Sequence, residues 1–381
     1  MKLQNGLKLI GGLILSAVVS SSAVASSYTY TCSDPIWGIN GSAGFGTTYV
    51  SAGCVANHTA NAPSTLVTSQ AVLQTAATQM TNMINARINR VRNPHGIMVA
   101  TAENPLGAGI SAGDMGDIGE WGWGVWANAS YNRITNDFSS TRYKGHVTTA
   151  MVGADTKLGT DNTILGMALG WEDQGFDTTF NRGKQDATGW SLTPYLAFFL
   201  NENWALSFLG GYATLDYDLE RHDPGLGSRF YGSPRADRWY GSGDLHFSYP
   251  CDHWRFGADA GVLYMKETRD AFNESGPQLV VQRKQETKLG RFNLGGTVGY
   301  NINGYVEPYV RAAFLYDFTQ TDIVVAAIQA RPANGDTAGV FGGGINFFFD
   351  DVFRLNVDAY TEQFRDNYDR WGVSGMLIAN F

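Results

Sequence analysis

From Trp121 to the end of the chain, apolar and polar residues alternate with a period of two. That is the signature of strands that show one face to an apolar environment. In the run 190–200, WSLTPYLAFFL, one face collects Trp190, Leu192, Pro194, Leu196, Phe198 and Leu200. In 204–215 it collects Trp204, Leu206, Phe208, Gly210 and Tyr212, and in 254–264 Trp254, Phe256, Ala258, Ala260 and Val262. Such runs predict about twelve strands, starting near 121, 144, 163, 189, 204, 238, 254, 287, 305, 338, 352 and 371. The connections alternate as well. Tight turns are expected at GTDN (159–162), NEN (201–203), PCDH (250–253), NING (301–304) and DD (350–351), all built from turn-forming residues. The intervening connections, such as 216–237 and 265–286, are predicted to be long polar loops. Even strand number, short turns at one end, long loops at the other and an apolar face predict an all-β transmembrane barrel of about twelve antiparallel strands over 121–381. An exported soluble β-protein is the weaker alternative. A barrel also removes the open sheet edges that hydrocarbon cannot tolerate.

Before the barrel the period is different. Residues 64–94 are free of Gly and Pro until Asn93-Pro94, and Leu73, Ala77, Met80, Ile84, Ile88 and Val91 recur at helical spacing. This predicts a helix over about 65–92, ended by the proline, with Gln, Thr, Asn and Arg on its other faces. Such a helix is too polar to face lipid. Residues 95–120 are a Gly-rich connector, and 26–63 form a short loop-rich segment.

The N-terminus changes the compartment. Lys2 and Lys8 form a basic start, Leu9 to Val19 an apolar core, and Ala23-Val24-Ala25 a small-x-small cleavage site, so residues 1–25 are expected to be a Sec signal peptide. Its loss takes the formal charge from −8 to −10, which argues against a nucleic-acid partner. Cys32 and Cys54 lie close together in a segment bound for an oxidising compartment and are a possible disulfide. Cys251, in a turn, is expected to be a free thiol.

The polar phase of the strands supplies the candidate lumen. Asp244, His246, Asp259, Arg291, Asn293, Glu307, Tyr309, Arg311, Asp317, Arg354, Asn356 and Asp358 fall on it. Asp259, Arg291, Glu307 and Arg311 are expected either to hold the helix as a plug or to line a pore. Gly257, Gly261, Gly295, Gly299 and Gly343 are expected to point inward and leave room. Arg87, Arg90 and Arg92 form a basic helix end that would meet lumen carboxylates. Asp216, Asp218, Glu220, His222 and Asp223 cluster in an expected outer loop, as solvated surface or a loose cation site. No His-Glu-x-x-His pair and no phosphate-binding loop occur. The chain is therefore read as non-enzymatic, with no catalytic residue, metal or cofactor.

The stretch 152–200 resembles the autotransporter β-domain of type V secretion. The family's Gly-x-Asp strand stands here as Gly153-Ala154-Asp155, its polar turn as Gly159 to Asn162, and its next strand as Leu165-Gly166-Met167-Ala168-Leu169-Gly170-Trp171. The likeness covers about 120–381 and includes the terminal aromatic. It implies a twelve-stranded outer-membrane barrel, threaded by the helix that precedes its first strand. A barrel of that size is wider than the eight-stranded kind that side chains alone can fill. A helix lying outside, capping the barrel, is the alternative. The resemblance also implies Sec export, insertion by the barrel-assembly machinery, contact with outer-membrane lipid and a monomer. Val373, Gly375, Leu377, Ala379 and Phe381 resemble the C-terminal assembly signal read by that machinery. Self-cleaving members cut at an Asn-Asn pair in the helix; Asn82, Asn85, Asn89 and Asn93 form no such pair, so no cleavage is expected. About 40 residues separate the expected signal peptide from the helix. A short displayed segment, together with outer loops and with no large passenger, is therefore expected. Its extracellular ligand is open. The alternative function is a narrow passive channel or a structural membrane protein plugged by its helix.

Overall fold

The structure, a computed structural model, describes residues 65–92, 123–138, 141–158, 162–223, 227–277, 279–321, 335–349 and 353–380. Helix α1 (Thr65–Arg92) precedes strands β1 (Trp123–Asn136), β2 (Tyr143–Lys157), β3 (Thr163–Thr178), β4 (Gly183–Phe199) and β5 (Trp204–Asp223). There follow β6 (Ser228–Gly232), β7 (Arg235–Cys251), β8 (Trp254–Arg269), β9 (Phe272–Glu274), β10 (Val280–Gln282) and β11 (Gln285–Tyr300). The last four are β12 (Val306–Gln320), β13 (Thr337–Phe348), β14 (Phe353–Arg365) and β15 (Tyr368–Asn380). All but β6, β9 and β10 are barrel staves, each antiparallel to its neighbours. The barrel closes where β15 pairs with β1, from Gly124↔Asn380 to Asn136↔Tyr368.

The expected alternation is kept along the staves. Trp204, Phe208 and Tyr212 of β5 are exposed on the outer wall, while Ala205, Ser207 and Leu209 are buried. Exposed aromatics stand in two tiers. Trp123, Trp204, Trp254 and Phe353 lie near the tight turns; Trp190, Tyr212, Trp239, Tyr264 and Trp371 lie further from them, on β4, β5, β7, β8 and β15. From Trp204 to Tyr212 is about 26 Å of strand, which a tilt of about 40° reduces to about 20 Å, within the ~25 Å height of a lipid band. The end with the tight turns is accordingly the periplasmic one.

Two expectations need correction. The strands run past the apolar band, with 20 residues in β5 and 17 in β7, so the outer connections are shorter than the pattern predicted. The segment 216–237 is not a loop: β5 continues to Asp223, β6 pairs back on it, and β7 begins at Arg235. The β3–β4 connection spans 179–182, and the β14–β15 connection 366–367. Above the lipid, outward residues can be polar without breaking the hydrogen-bond ladder, so loss of apolar alternation did not mean loss of the strand. The second correction concerns Gly343. It pairs with outward Val310 and faces lipid, while Gly342 and Gly344 face the lumen.

Helix α1 lies inside the barrel. Its described side chains from Val67 to Met80 are all buried, polar Gln70, Gln74, Thr75 and Gln79 included. A helix buried all round is normally apolar. This one is not, because the wall that buries it is itself polar. The capping alternative is thereby excluded.

Candidate functional site

The interface between helix and lumen wall is built in three tiers. At the outer end, Val67, Ala71 and Val72 pack with Ile134, Tyr143, Val147, Phe176 and Tyr368, and Thr68 Oγ1 donates to Gln185 Oε1 at 2.6 Å. These wall residues sit at the outer ends of β1, β2, β3, β4 and β15. The first turns of the helix therefore occupy the outer mouth.

The middle tier is charged. Arg291 and Arg365 hold Asp317 at 2.6 and 2.9 Å, while Arg365 and Arg370 hold Glu362 at 2.9 and 2.5 Å. Three guanidiniums face two carboxylates, and the surplus donor capacity is turned on the helix. Thr78 Oγ1 accepts from Arg291 at 2.8 Å and from Arg370 at 3.1 Å. The Gln74 carbonyl accepts from both at 3.2 and 3.4 Å, and Gln74 Nε2 donates to Asp317 at 3.1 Å. On the facing side Gln79 Nε2 donates to Ser130 Oγ at 2.8 Å.

At the periplasmic end Arg87 grips Asp155 with two parallel bonds, Nε to Oδ2 at 2.7 Å and Nη2 to Oδ1 at 2.6 Å. Such a fork is the strongest geometry a guanidinium offers a carboxylate. Arg87 also donates to Asn380 Oδ1 at 3.2 Å, tying the helix to the last strand. Asp155 further accepts from the Tyr195 hydroxyl at 2.6 Å, which in turn accepts from Trp126 Nε1 at 2.8 Å. The flat rings need room. A Cβ on Gly166 would stand inside the Tyr195 ring, and one on Gly153 inside the Trp126 indole. The Gly153-Ala154-Asp155 and Leu165-Gly166 signatures thus have a physical reading: one carboxylate for the helix, and two gaps for the aromatics that brace it.

The predicted lumen residues all face inward, but they do not all act on the helix. Among these, Arg291 bonds to the helix, at the Gln74 carbonyl and at Thr78 Oγ1. Asp244 accepts from Ser242 at 2.8 Å, and Asp259 from Asn293 at 3.3 Å. Glu307 pairs with Arg255 and accepts from Asn346 at 2.9 Å; Arg311 pairs with Asp358 at 2.7 Å. Of the two roles expected of Asp259, Glu307 and Arg311, holding the helix or lining a pore, their bonds to wall residues Asn293, Arg255, Asn346 and Asp358 accord with the second. Asp259 and Glu307 line a polar cavity of about 130 Å³ beside the helix, which Ala86 touches among the described helix side chains. Nor do the inward glycines leave open space: the Asp244 carboxylate lies over Gly261, and that of Asp259 over Gly295.

The alternation showed Asp317 as a polar strand position, and the family resemblance showed Asp155 as part of a strand motif, but neither as an anchor. Glu362, Arg365 and Arg370 were missed, as was Arg238, which joins Glu172 at 2.7 Å and Glu267 at 2.8 Å. Their signal was the inward phase continued above the apolar band. Asp216, Glu220 and Asp218 do not form a cluster. They project outward from β5, and each has its own partner, Arg235, Arg229 and Ser233. Asp223 points inward. Among the described residues, no group of three or more His, Cys, Asp or Glu side chains comes together as a metal site. Cys251 is free and exposed. Arg90 and Arg92 close the helix, but their side chains, like Cys32, Cys54, the signal peptide and Phe381, lie outside the described residues.

A closed barrel with an apolar outer band, aromatic tiers and a polar lumen filled by its own helix is an integral outer-membrane β-barrel. The model of the autotransporter beta-domain matches residues 125–360, and the chain belongs to that family, whose barrels reside in the bacterial outer membrane. Among solved structures, the translocator domain of the autotransporter NalP from Neisseria meningitidis matches with a TM-score of 0.63 at 14% identity, over 83% of this chain and 99% of that one. The beta domain of the Bordetella autotransporter BrkA matches with a TM-score of 0.57 at 16% identity, over 68% and 100%. The transport unit of the autotransporter AIDA-I from Escherichia coli matches at 0.50 and 12%, over 78% and 97%. At these identities the likeness is one of fold. No curated protein matches the sequence.

Proposed function

We propose that this barrel anchors and displays. It would hold the helix as a fixed plug and present the chain ahead of Thr65, together with the outer hairpins, at the cell surface. The polarity of the helix carries the reading. Its first turns sit among the outer ends of β1, β2, β3, β4 and β15, and Arg87 sits at the periplasmic end beside Asp155 and Asn380. Polypeptide preceding such a helix leaves on the outer side. Sec export, insertion by the barrel-assembly machinery, residence as a monomer in outer-membrane lipid and a non-enzymatic role belong to the same reading. An epitope inserted near Ser51 is expected to be bound by antibody on intact cells. An epitope reached only after the outer membrane is permeabilised would overturn the proposal.

The polar cavity beside Ala86 favours a second reading, a narrow channel with the helix as its constriction. The two readings part in a planar bilayer: display with a fixed plug predicts a silent protein, and the channel predicts steady conductance from the intact chain.

A further inference from the structure

The outer rim of the barrel is not evenly charged. On β4 to β7 the outward ion pairs run one to one: Lys184 with Asp186 at 2.6 Å, Arg229 with Glu220 at 2.5 Å, Arg235 with Asp216 at 2.9 Å. On β8 and β11 the arrangement differs. Lys266 and Lys288 stand directly opposite each other across the strand pair, both on the outer wall. Like charges so placed destabilise a sheet. A single carboxylate, Glu286, lies 2.8 Å from Lys266 and 3.8 Å from Lys288, and Lys284 stands exposed two residues before it in the chain. Three ammonium groups therefore share one acid.

The surroundings place this patch at a membrane surface. Tyr264, two residues below Lys266, belongs to the outer aromatic tier; Trp239, beside Lys266 in register, is 63% exposed. Phe318 lies over Gly290, immediately below Lys288, where any Cβ would meet its ring. Tyr and Trp at this depth mark the boundary between acyl chains and headgroups. Further toward the periplasm β11 contributes Leu294 to an apolar groove of about 370 Å³ with Ala312, Phe314, Gly339, Phe341 and Phe364. Cations above an aromatic frame, with an apolar groove on the same wall, suit an amphiphile with an anionic head.

We propose that Lys266, Lys288 and Lys284 form a binding site for the phosphate groups of an outer-leaflet glycolipid, whose acyl chains run down the β11–β13 wall. The phosphate supplies the negative charge that Glu286 alone does not. It also turns the opposed lysine pair from a repulsion into a clamp. Each lysine near an anionic lipid surface contributes enough that removing two weakens binding by about thirty-fold.

The test uses the full chain in lipid nanodiscs, titrated with bisphosphorylated lipid A and read by native mass spectrometry. Lys266→Gln with Lys288→Gln is expected to weaken binding by about thirty-fold, and Lys184→Gln to leave it unchanged. Lys266→Glu is expected to abolish it. Resistance of the barrel to unfolding in cold detergent confirms that each variant is folded. Equal binding by the double glutamine variant overturns the proposal. So does equal binding of the dephosphorylated glycolipid, or equal competition by a zwitterionic phospholipid.

Discussion

Arg87 and Asp155 are both shielded from water, at 1% and 0% side-chain exposure, so each depends on the other for its charge to be tolerated. Removing one partner leaves a buried charge uncompensated and costs about 3–5 kcal/mol, whereas replacing both with apolar residues of similar size is often neutral. Asp155→Ala is thus expected to lower the thermal unfolding transition of the barrel sharply. Arg87→Met with Asp155→Leu should recover most of the loss; an equal loss in the pair would mean that the ion pair is not the origin. The braces around it make a second prediction. Gly166→Ala puts a methyl into the Tyr195 ring, while Gly296→Ala meets no atom nearer than a backbone oxygen at 3.8 Å. The fraction folded in outer membranes is expected to fall for the first and hold for the second. Neither contact could be read from spacing alone, because Asp155 is 68 residues from Arg87 and 40 from Tyr195.

Among the elements, α1 and β15 bear most on function. The helix was legible almost residue for residue, since a Gly-free, Pro-terminated run with helical spacing has few other readings. What its polar residues were for was not legible. Thr78 accepts from two guanidiniums, and Thr78→Val would leave buried donors short of a partner, at about 1–3 kcal/mol. It is expected to raise protease sensitivity of the helix; unchanged protection would show that the charged tier holds by its own ion pairs. Strand β15 closes the barrel, with Val373 and Leu377 on the lipid face and Ala379 between Val125 and Phe353. Deleting Phe381 is expected to reduce barrel in the outer membrane. An undiminished amount of folded protein would exclude an assembly role for the terminal residue. Strand ends were the least legible feature. Apolar alternation stops at the membrane surface, but the ladder continues wherever inward residues such as Tyr217 and Leu219 still pack.

For the whole molecule, the decisive quantity is the size of the lumen against what fills it. An α-helix with its side chains is about 10–12 Å across, so deletion of 65–92 is expected to open a water-filled path of that order. Conductance should appear where the intact chain is silent. No rise would mean that the wall side chains alone close the barrel, and the plug reading would fail.

The sequence by itself determined the compartment expectation, the barrel, the strand count, the faces and the helix. The first follows from the basic start, apolar core and cleavage site of residues 1–25, and the rest from local periodicity, which the chain carries within ten or so residues of itself. The tertiary structure alone decided which polar residues touch the helix, which way the helix runs, and where opposed charges collect on the rim. Those facts depend on closure: only when β15 pairs with β1 do residues hundreds of positions apart share one lumen, and their alignment is set by strand register and tilt. That is why Asp155, a polar letter in a strand motif, becomes the anchor of a helix that begins ninety residues before it.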